Sequence, residues 1–195
     1  GEFVGGTVSG VSGGVPLTGL DMGASSNPEC IGSMPAILDL YDGGLLDMAV
    51  LGLAEVDRHC NINVSRFHGK FTGPGGFIDI SQNAKKCVFC GTFTANGLEV
   101  AVQDGRLSIL KEGRAAKFLQ AVEQITFNGA YACRQGRPAV YITERAVFQL
   151  TPAGLELTEL APGISLERDV LPYMEFRPLI RRPLGEMPPQ IFRQG

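Results

Sequence analysis

The sequence has 195 residues, of which 44% are hydrophobic and 19% are charged. That balance is typical of a globular protein and excludes a disordered or fibrous one. The formal net charge of -3 predicts no basic surface for nucleic acid or an anionic membrane, and no apolar run approaches the roughly 18 residues of a bilayer span. We expect one domain over residues 1–195, with Gly1–Phe3 left over from cloning.

The first half of the chain predicts strands that are rich in apolar residues and are separated by glycine turns. Residues 47–52 are expected to be a strand buried on both faces, as in a parallel sheet. The other expected elements of this half are strands at 36–40, 61–65 and 86–94 and a short helix within 77–85.

The second half has the pattern of antiparallel hairpins. The segments 98–102 and 107–110 flank Asp104-Gly105, which is a strong turn signal. Further strands are predicted at 139–143, 146–150 and 155–160, and a helix is predicted to start after Ser165. The expected fold class is therefore α/β, with an open, largely parallel sheet, helices and an antiparallel β extension.

The five cysteines are scattered along the chain, and no secretory signal is visible. An odd, scattered set favours reduced thiols and a cytoplasmic location. Cys87 and Cys90 form a C-x-x-C motif, but the stretch is strand-like, so the two side chains would face opposite sides. Neither His59 nor His68 supplies an obvious second ligand pair. We therefore interpret both as core cysteines and expect no metal site.

Six segments resemble the family I coenzyme A transferases of the acetate, propionate and 3-ketoacid type, in the order in which that family has them. They cover nearly the whole chain, and the resemblance is to the carboxyl-terminal half of these enzymes. The segments are Gly13–Pro16, Asp39–Asp57, Asn61–Phe67, Gly73–Val100, Val122–Gly129 and Tyr141–Ile180.

The resemblance implies an acyl-CoA:carboxylate CoA-transferase of short-chain fatty acid or ketone body metabolism. In the family, coenzyme A is transferred by a ping-pong reaction through a glutamyl-CoA thioester. Coenzyme A is then a substrate, and no metal or prosthetic group is implied. The expected partners are acyl-CoA, short carboxylic acids, an amino-terminal half or subunit that this chain lacks, and further copies in a homo-oligomer.

The family's glutamate precedes a glycine-rich turn, in the pattern Glu-x-Gly-x-x-Gly-Gly. Here Gly10, Gly13 and Gly14 match the glycines, but Val8 stands at the glutamate position. Val cannot attack a thioester, and Glu2, the nearest carboxylate upstream, is not expected to replace it. The catalytic residue therefore stays unknown. One alternative function is a non-catalytic CoA-binding or assembly module. A second is an acyl-CoA hydrolase, which would lack the same catalytic glutamate.

A second glycine loop, Gly73-Pro74-Gly75-Gly76, resembles the family loop that lies near the coenzyme A thioester. With the first loop, it gives five expected CoA or oxyanion contacts: Gly10, Gly13, Gly14, Gly75 and Gly76. Three further expectations concern polar side chains outside the two glycine loops. Asn83, Lys85 and Lys86 lie either near coenzyme phosphates or in solvent, Asp47 has a structural role, and Glu144 pairs with Arg145 or another neighbour.

Overall fold

The computed structural model describes residues 5–17, 19–21 and 23–193. The suspected cloning residues Gly1–Phe3, Glu2 included, lie outside this range. The described residues form two compact units. The first contains the residues up to Ala49 together with Gly75–Lys85, and the second contains Val50–Pro74 and the residues from Lys86 onwards.

The first unit consists of short strands followed by two helices. Its strands are β1 (Val11–Ser12), β2 (Val15–Pro16), β3 (Ser25–Ser26) and β4 (Cys30–Ile31), and its helices are α1 (Met34–Asp42) and α2 (Phe77–Asn83). Strand β1 pairs antiparallel with β4, and β2 pairs antiparallel with β3. The two helices pack against each other.

The strand predicted at residues 36–40 is wrong, because these residues lie inside α1. Ser33 caps this helix by accepting a hydrogen bond from the Ala36 backbone N–H at 3.4 Å. Pro35 lies in the first turn, where its missing N–H costs nothing. Ile37 and Tyr41 are buried four residues apart, which is the spacing of one helix face.

The second unit holds fifteen strands and one α-helix in the part of the chain that the structure describes. The helix is α3 (Gly129–Arg134), and the strands are β5 (Ala49–Gly52), β6 (Glu55–Asp57), β7 (Ile62–Asn63), β8 (Arg66–Phe67), β9 (Lys70–Phe71), β10 (Cys87–Cys90), β11 (Thr94–Ala95), β12 (Glu99–Gln103), β13 (Arg106–Lys111), β14 (Ala115–Ala116), β15 (Phe118–Leu119), β16 (Ala139–Ile142), β17 (Ala146–Thr151), β18 (Gly154–Leu160) and β19 (Leu179–Glu186).

The main sheet has six strands in the order β19-β18-β17-β16-β10-β5. It is a mixed sheet, since β10 runs parallel to β16 and β18 parallel to β19, while β16, β17 and β18 form an antiparallel meander. A smaller sheet has the order β15-β6-β7. The α/β class is confirmed, and the parallel and antiparallel parts meet in one sheet.

Three details of the predicted strands and helices are confirmed or corrected. Asp104 and Gly105 both have positive φ, 53° and 76°, and connect β12 to β13 as the hairpin signal predicts. The strand expected to be buried on both faces starts with buried Ala49, but Val50 is 61% exposed. After Ser165 the chain does turn into a helix, as a π-helical turn at Leu166–Val170.

Aromatic rings fill the core of the second unit. Phe93 stacks on Phe118 with ring centroids 4.4 Å apart, and Phe118 lies 5.0 Å from Phe148. Phe89 meets Phe127 edge to face at 4.9 Å. None of the helices in the described ranges is long and apolar enough to cross a membrane.

Candidate active site

The first glycine turn forms a tight hairpin at the start of the first unit. We call Gly10, Gly13 and Gly14 the glycine frame. Their φ angles are 98°, 75° and 72°, in the left-handed region that other residues adopt only under strain. The motif therefore uses glycine for its backbone conformation.

The glycine frame also allows other backbone segments to approach closely. A Cβ on Gly10 would overlap the carbonyl oxygen of Gly32, and one on Gly14 would lie 2.7 Å from the Asn27 carbonyl oxygen. A Cβ on Gly13 would lie 2.7 Å from Cγ of Glu29. The segment 27–32 was not predicted to belong to the site, and the excess of glycine was the only signal of this close packing.

Val8 lies in the turn that precedes the glycine frame. The Thr7 backbone N–H donates to the Val11 carbonyl at 2.8 Å, and the Gly10 N–H donates to the Thr7 carbonyl at 3.2 Å. These two bonds close the turn around the half-buried Val8.

The side chain of Val8 packs against Gly76, which is 68 residues further along the chain. A Cβ built on Gly76 would overlap Cγ2 of Val8 and would lie 3.4 Å from its Cβ. The motif alignment predicts this orientation, and the contact brings Val8 and Gly76 together within the first unit.

Gly75 and Gly76 lead directly into α2. Gly75 has a φ of 54°, and Gly76 is the residue before the first helical position. The Ile80 N–H donates to the Gly76 carbonyl at 3.0 Å. Within the described residues, the backbone N–H groups of Gly75 and Gly76 donate to no protein acceptor. A ligand could therefore accept hydrogen bonds from these two N–H groups.

Two of the three backbone N–H groups of the glycine frame are engaged in a different way. The Gly10 N–H donates to the Thr7 carbonyl, and the Gly13 N–H donates to the Gly5 carbonyl at 2.6 Å. These two bonds hold the turn in shape. Of the five expected contacts, Gly10 and Gly13 therefore have engaged N–H groups, whereas those of Gly14, Gly75 and Gly76 donate to no backbone acceptor within the described residues.

The polar residues around α2 pair within the first unit. The Asn83 amide donates to the Asp42 carbonyl at 2.7 Å and to its carboxylate at 3.0 Å. Lys85 Nζ lies 2.7 Å from the Asp47 carboxylate in an exposed ion pair. Asp47 therefore has a structural contact, and Lys85 is already paired with it. Lys86 is exposed.

Glu144 pairs with Arg145, as expected, in a buried network of the second unit. Arg145 is fully buried, and its Nε donates to Glu144 at 2.6 Å. Its two terminal nitrogens donate to both oxygens of Glu112 at 2.7 and 2.9 Å, and its guanidinium lies 4.8 Å from the centre of the Phe93 ring. The bidentate partner Glu112 was missed, because no sequence pattern pairs two residues that lie 33 positions apart.

None of the five cysteines, all of which lie in the described ranges, forms a disulfide, and their environments differ. Burial raises the pKa of Cys60 to about 12 and that of Cys87 to about 11. The interpretation of Cys87 as a core residue is confirmed, but Cys90 is exposed at the end of β10. The alternation of the strand explains the difference, because residues three apart face opposite sides.

Two curated relatives are similar over nearly the whole chain. The acetate CoA-transferase YdiF of Escherichia coli K12 is 44% identical over 191 residues, which cover 98% of this chain and 36% of the relative. The caffeate CoA-transferase of Acetobacterium woodii is 46% identical over 187 residues, with 93% and 36% covered. The chain thus spans about a third of the length of these relatives.

A solved structure agrees with this similarity. The thioester complex of the acyl-CoA transferase YdiF of E. coli O157:H7 with CoA matches 95% of this chain and 35% of that one, with a TM-score of 0.88 and 44% identity. The chain belongs to the family I coenzyme A transferases. No protein-family profile matches the sequence of this transferase segment.

Proposed function

We propose that this chain is an acyl-CoA:carboxylate CoA-transferase domain in which residue 8 occupies the position of the catalytic glutamate. The observation that supports this most directly is the contact between Val8 and Gly76. This contact supports the assignment because it brings the side chain of residue 8 against the glycine that precedes α2. We assign both compact units to this one domain.

The reaction that we propose for the complete enzyme uses a glutamate carboxylate as nucleophile. The carboxylate attacks the carbonyl carbon of acyl-CoA, and the C–S bond breaks. Coenzyme A departs as its thiolate, and the glutamate and the acyl group are then joined as a mixed anhydride. The thiolate then attacks the glutamyl carbonyl and releases the acyl group as its carboxylate. The acceptor acid reverses both steps. In each step negative charge develops on a carbonyl oxygen, which the Gly75 and Gly76 N–H groups would stabilise.

Val8 has no carboxylate, so the chain as it stands cannot form either covalent intermediate at this position. This favours the second candidate function, a coenzyme A-binding or assembly module that keeps the fold without the chemistry. Both functions predict that coenzyme A binds, but only the transferase predicts turnover.

The proposed partners follow from the share of the relatives that this chain spans. We propose that an amino-terminal half or subunit, equivalent to the amino-terminal part of the relatives, completes the site, and that the assembly is a homo-oligomer. The substrates are short acyl-CoAs, such as acetyl-CoA, and short carboxylic acids of fatty acid or ketone body metabolism. The absence of disulfides among the five cysteines, all of them in the described ranges, supports the proposal of a reducing, cytoplasmic location.

The experiment measures binding and turnover side by side. Three chains are compared, each mixed with the amino-terminal part of the E. coli relative: the unchanged chain, Val8→Glu and Val8→Gln. The glutamine variant matches the size of glutamate but lacks its nucleophilic carboxylate. We expect coenzyme A binding by all three mixtures and transfer from acetyl-CoA to a short acid only with Val8→Glu.

Two results would contradict the proposal. Equal turnover by the unchanged chain would mean that another group is the nucleophile, and the assignment of residue 8 would be wrong. Binding by all three mixtures without turnover by Val8→Glu would favour the non-catalytic module.

A further inference from the structure

Two adjoining clefts in the second unit share His59 and Ala153. Their volumes are about 510 and 240 Å³. They lie among the turn after β6, the end of α3, the turn between β17 and β18 and the residues before β19. Arginines contributed by three of these segments line them, namely Arg58, Arg134 and Arg177. We call this place the arginine cleft.

The arginine cleft is positively charged although the whole chain has a formal net charge of -3. None of the residues that line it is an aspartate or a glutamate. In the described part of the chain, its three guanidinium groups form no ion pair, whereas Arg145, Arg168 and Arg181 each do. Three unpaired arginines of this kind are an arrangement that an anion would neutralise.

The nearest carboxylate along the chain is already occupied by other donors. Asp57 accepts hydrogen bonds from the backbone N–H groups of His59 at 2.9 Å and Asn61 at 3.0 Å, and from the Asn61 amide at 3.0 Å. It is also buried, at 3% exposure. Asp57 therefore fixes the turn that carries Arg58, and it does not form an ion pair with that arginine.

Two of the arginines are held in place. The Arg58 Nε donates to Nε2 of His59 at 3.1 Å, and the Arg58 carbonyl accepts from the Leu155 N–H at 3.4 Å. The Arg134 guanidinium lies over the ring of Tyr131, 5.9 Å from its centre. Side chains held in this way lose less entropy when a ligand binds.

We propose that the arginine cleft binds a small phosphorylated molecule with at least two phosphate groups. Guanidinium groups match phosphate oxygens in pairs, so Arg134 in the larger cleft and Arg58 and Arg177 in the smaller one offer sites for more than one phosphate group. The larger cleft is of the size that small ligands occupy. Its wall also contains Ala130, Leu150 and Pro152, against which an apolar part of the ligand would pack. This inference does not depend on the transferase proposal.

The test uses pyrophosphate as the probe, in calorimetric titrations at low salt. We expect binding to the unchanged chain, about tenfold weaker binding for each of Arg58→Ala, Arg134→Ala and Arg177→Ala, and no measurable binding for the triple variant. Lys70→Ala removes one exposed positive charge outside the cleft and should leave the affinity within about twofold. All three arginines are exposed, so the variants should keep the unfolding midpoint of the unchanged chain.

Competition then identifies the source of the phosphates. Displacement of pyrophosphate by coenzyme A would assign the cleft to the phosphates of that molecule, and lack of displacement would assign it to a separate organic phosphate. Undetectable pyrophosphate binding by the unchanged chain, or equal binding by the unchanged chain and the triple variant, would overturn the proposal.

Discussion

Replacing Gly76 by alanine tests the packing of Val8 against the loop before α2. The backbone of Gly76 has φ -82° and ψ 8°, which alanine also adopts, so the conformation itself costs little. The added Cβ would overlap Cγ2 of Val8, and overpacking of this kind typically costs about 1–3 kcal/mol. The loss of glycine before the helix adds up to about 1 kcal/mol, because glycine ranks well above alanine as an N-cap residue.

A substitution at position 8 completes a double-mutant cycle, because it removes the Cγ2 of Val8 that the new Cβ would overlap. Val8→Ala deletes both γ-methyl groups of a half-buried side chain and should cost about 1 kcal/mol alone. In that background Gly76→Ala has room for its Cβ. We therefore expect the double variant to be about 1–2 kcal/mol more stable than the sum of the single effects predicts.

Gly75→Ala is the matched control. A Cβ at Gly75 has no atom within 4 Å, but its φ of 54° makes alanine cost about 1–2 kcal/mol through backbone strain. Val8→Ala should leave that cost unchanged. Urea unfolding followed by far-ultraviolet circular dichroism measures all variants, since the chain has no Trp for fluorescence. A coupling below about 0.3 kcal/mol between positions 8 and 76 would refute the contact.

Two further predictions concern the second unit. Burial would raise the pKa of Glu112, but hydrogen bonds from Arg145 and Thr94 outweigh it and hold the pKa below the usual range of a glutamate. Its contribution to stability is therefore present above the pKa that this carboxyl has in the unfolded chain, and it is lost as pH falls through the lower pKa of the folded state. The unfolding free energy of Glu112→Gln should therefore vary less between pH 5 and about pH 3 than that of the unchanged chain; equal slopes would contradict this assignment. Native alkylation at about pH 8 should modify exposed Cys30 before buried Cys60, whose pKa is about 12, and mass spectrometry that found Cys60 labelled first would show that the burial is wrong.

The hairpins and the short helix were predictable because their signals are local. Asp104-Gly105 adopts the two positive φ angles that its sequence favours, and Phe77–Asn83 is helical where a helix was expected. The sequence predicts a strand in place of α1 because the five residues 36–40, four of them apolar, are too few to show a clear period. The decisive signal was Ser33 followed by Pro35, a cap and a first-turn proline.

The site could be predicted only as far as the family resemblance allowed. The positive φ angles of the glycine frame are a property that glycine itself suggests, but the meeting of residue 8 with residue 76 is not encoded by any local pattern. The same reason explains why Glu112 was missed as the partner of Arg145. The exposure of Val50 has another cause. A four-residue apolar strand has the same sequence pattern at the edge and in the middle of a sheet, and β5 lies at the edge.

The central claim is that residue 8 occupies the nucleophile position. It is tested most directly by mass spectrometry of the Val8→Glu chain, mixed with the amino-terminal part of the E. coli relative and incubated with acetyl-CoA. We predict a peptide that carries coenzyme A on residue 8 and loses it on borohydride treatment, and no such adduct on the unchanged chain or on Val8→Gln. Coenzyme A captured on a different carboxylate of the chain would contradict the claim.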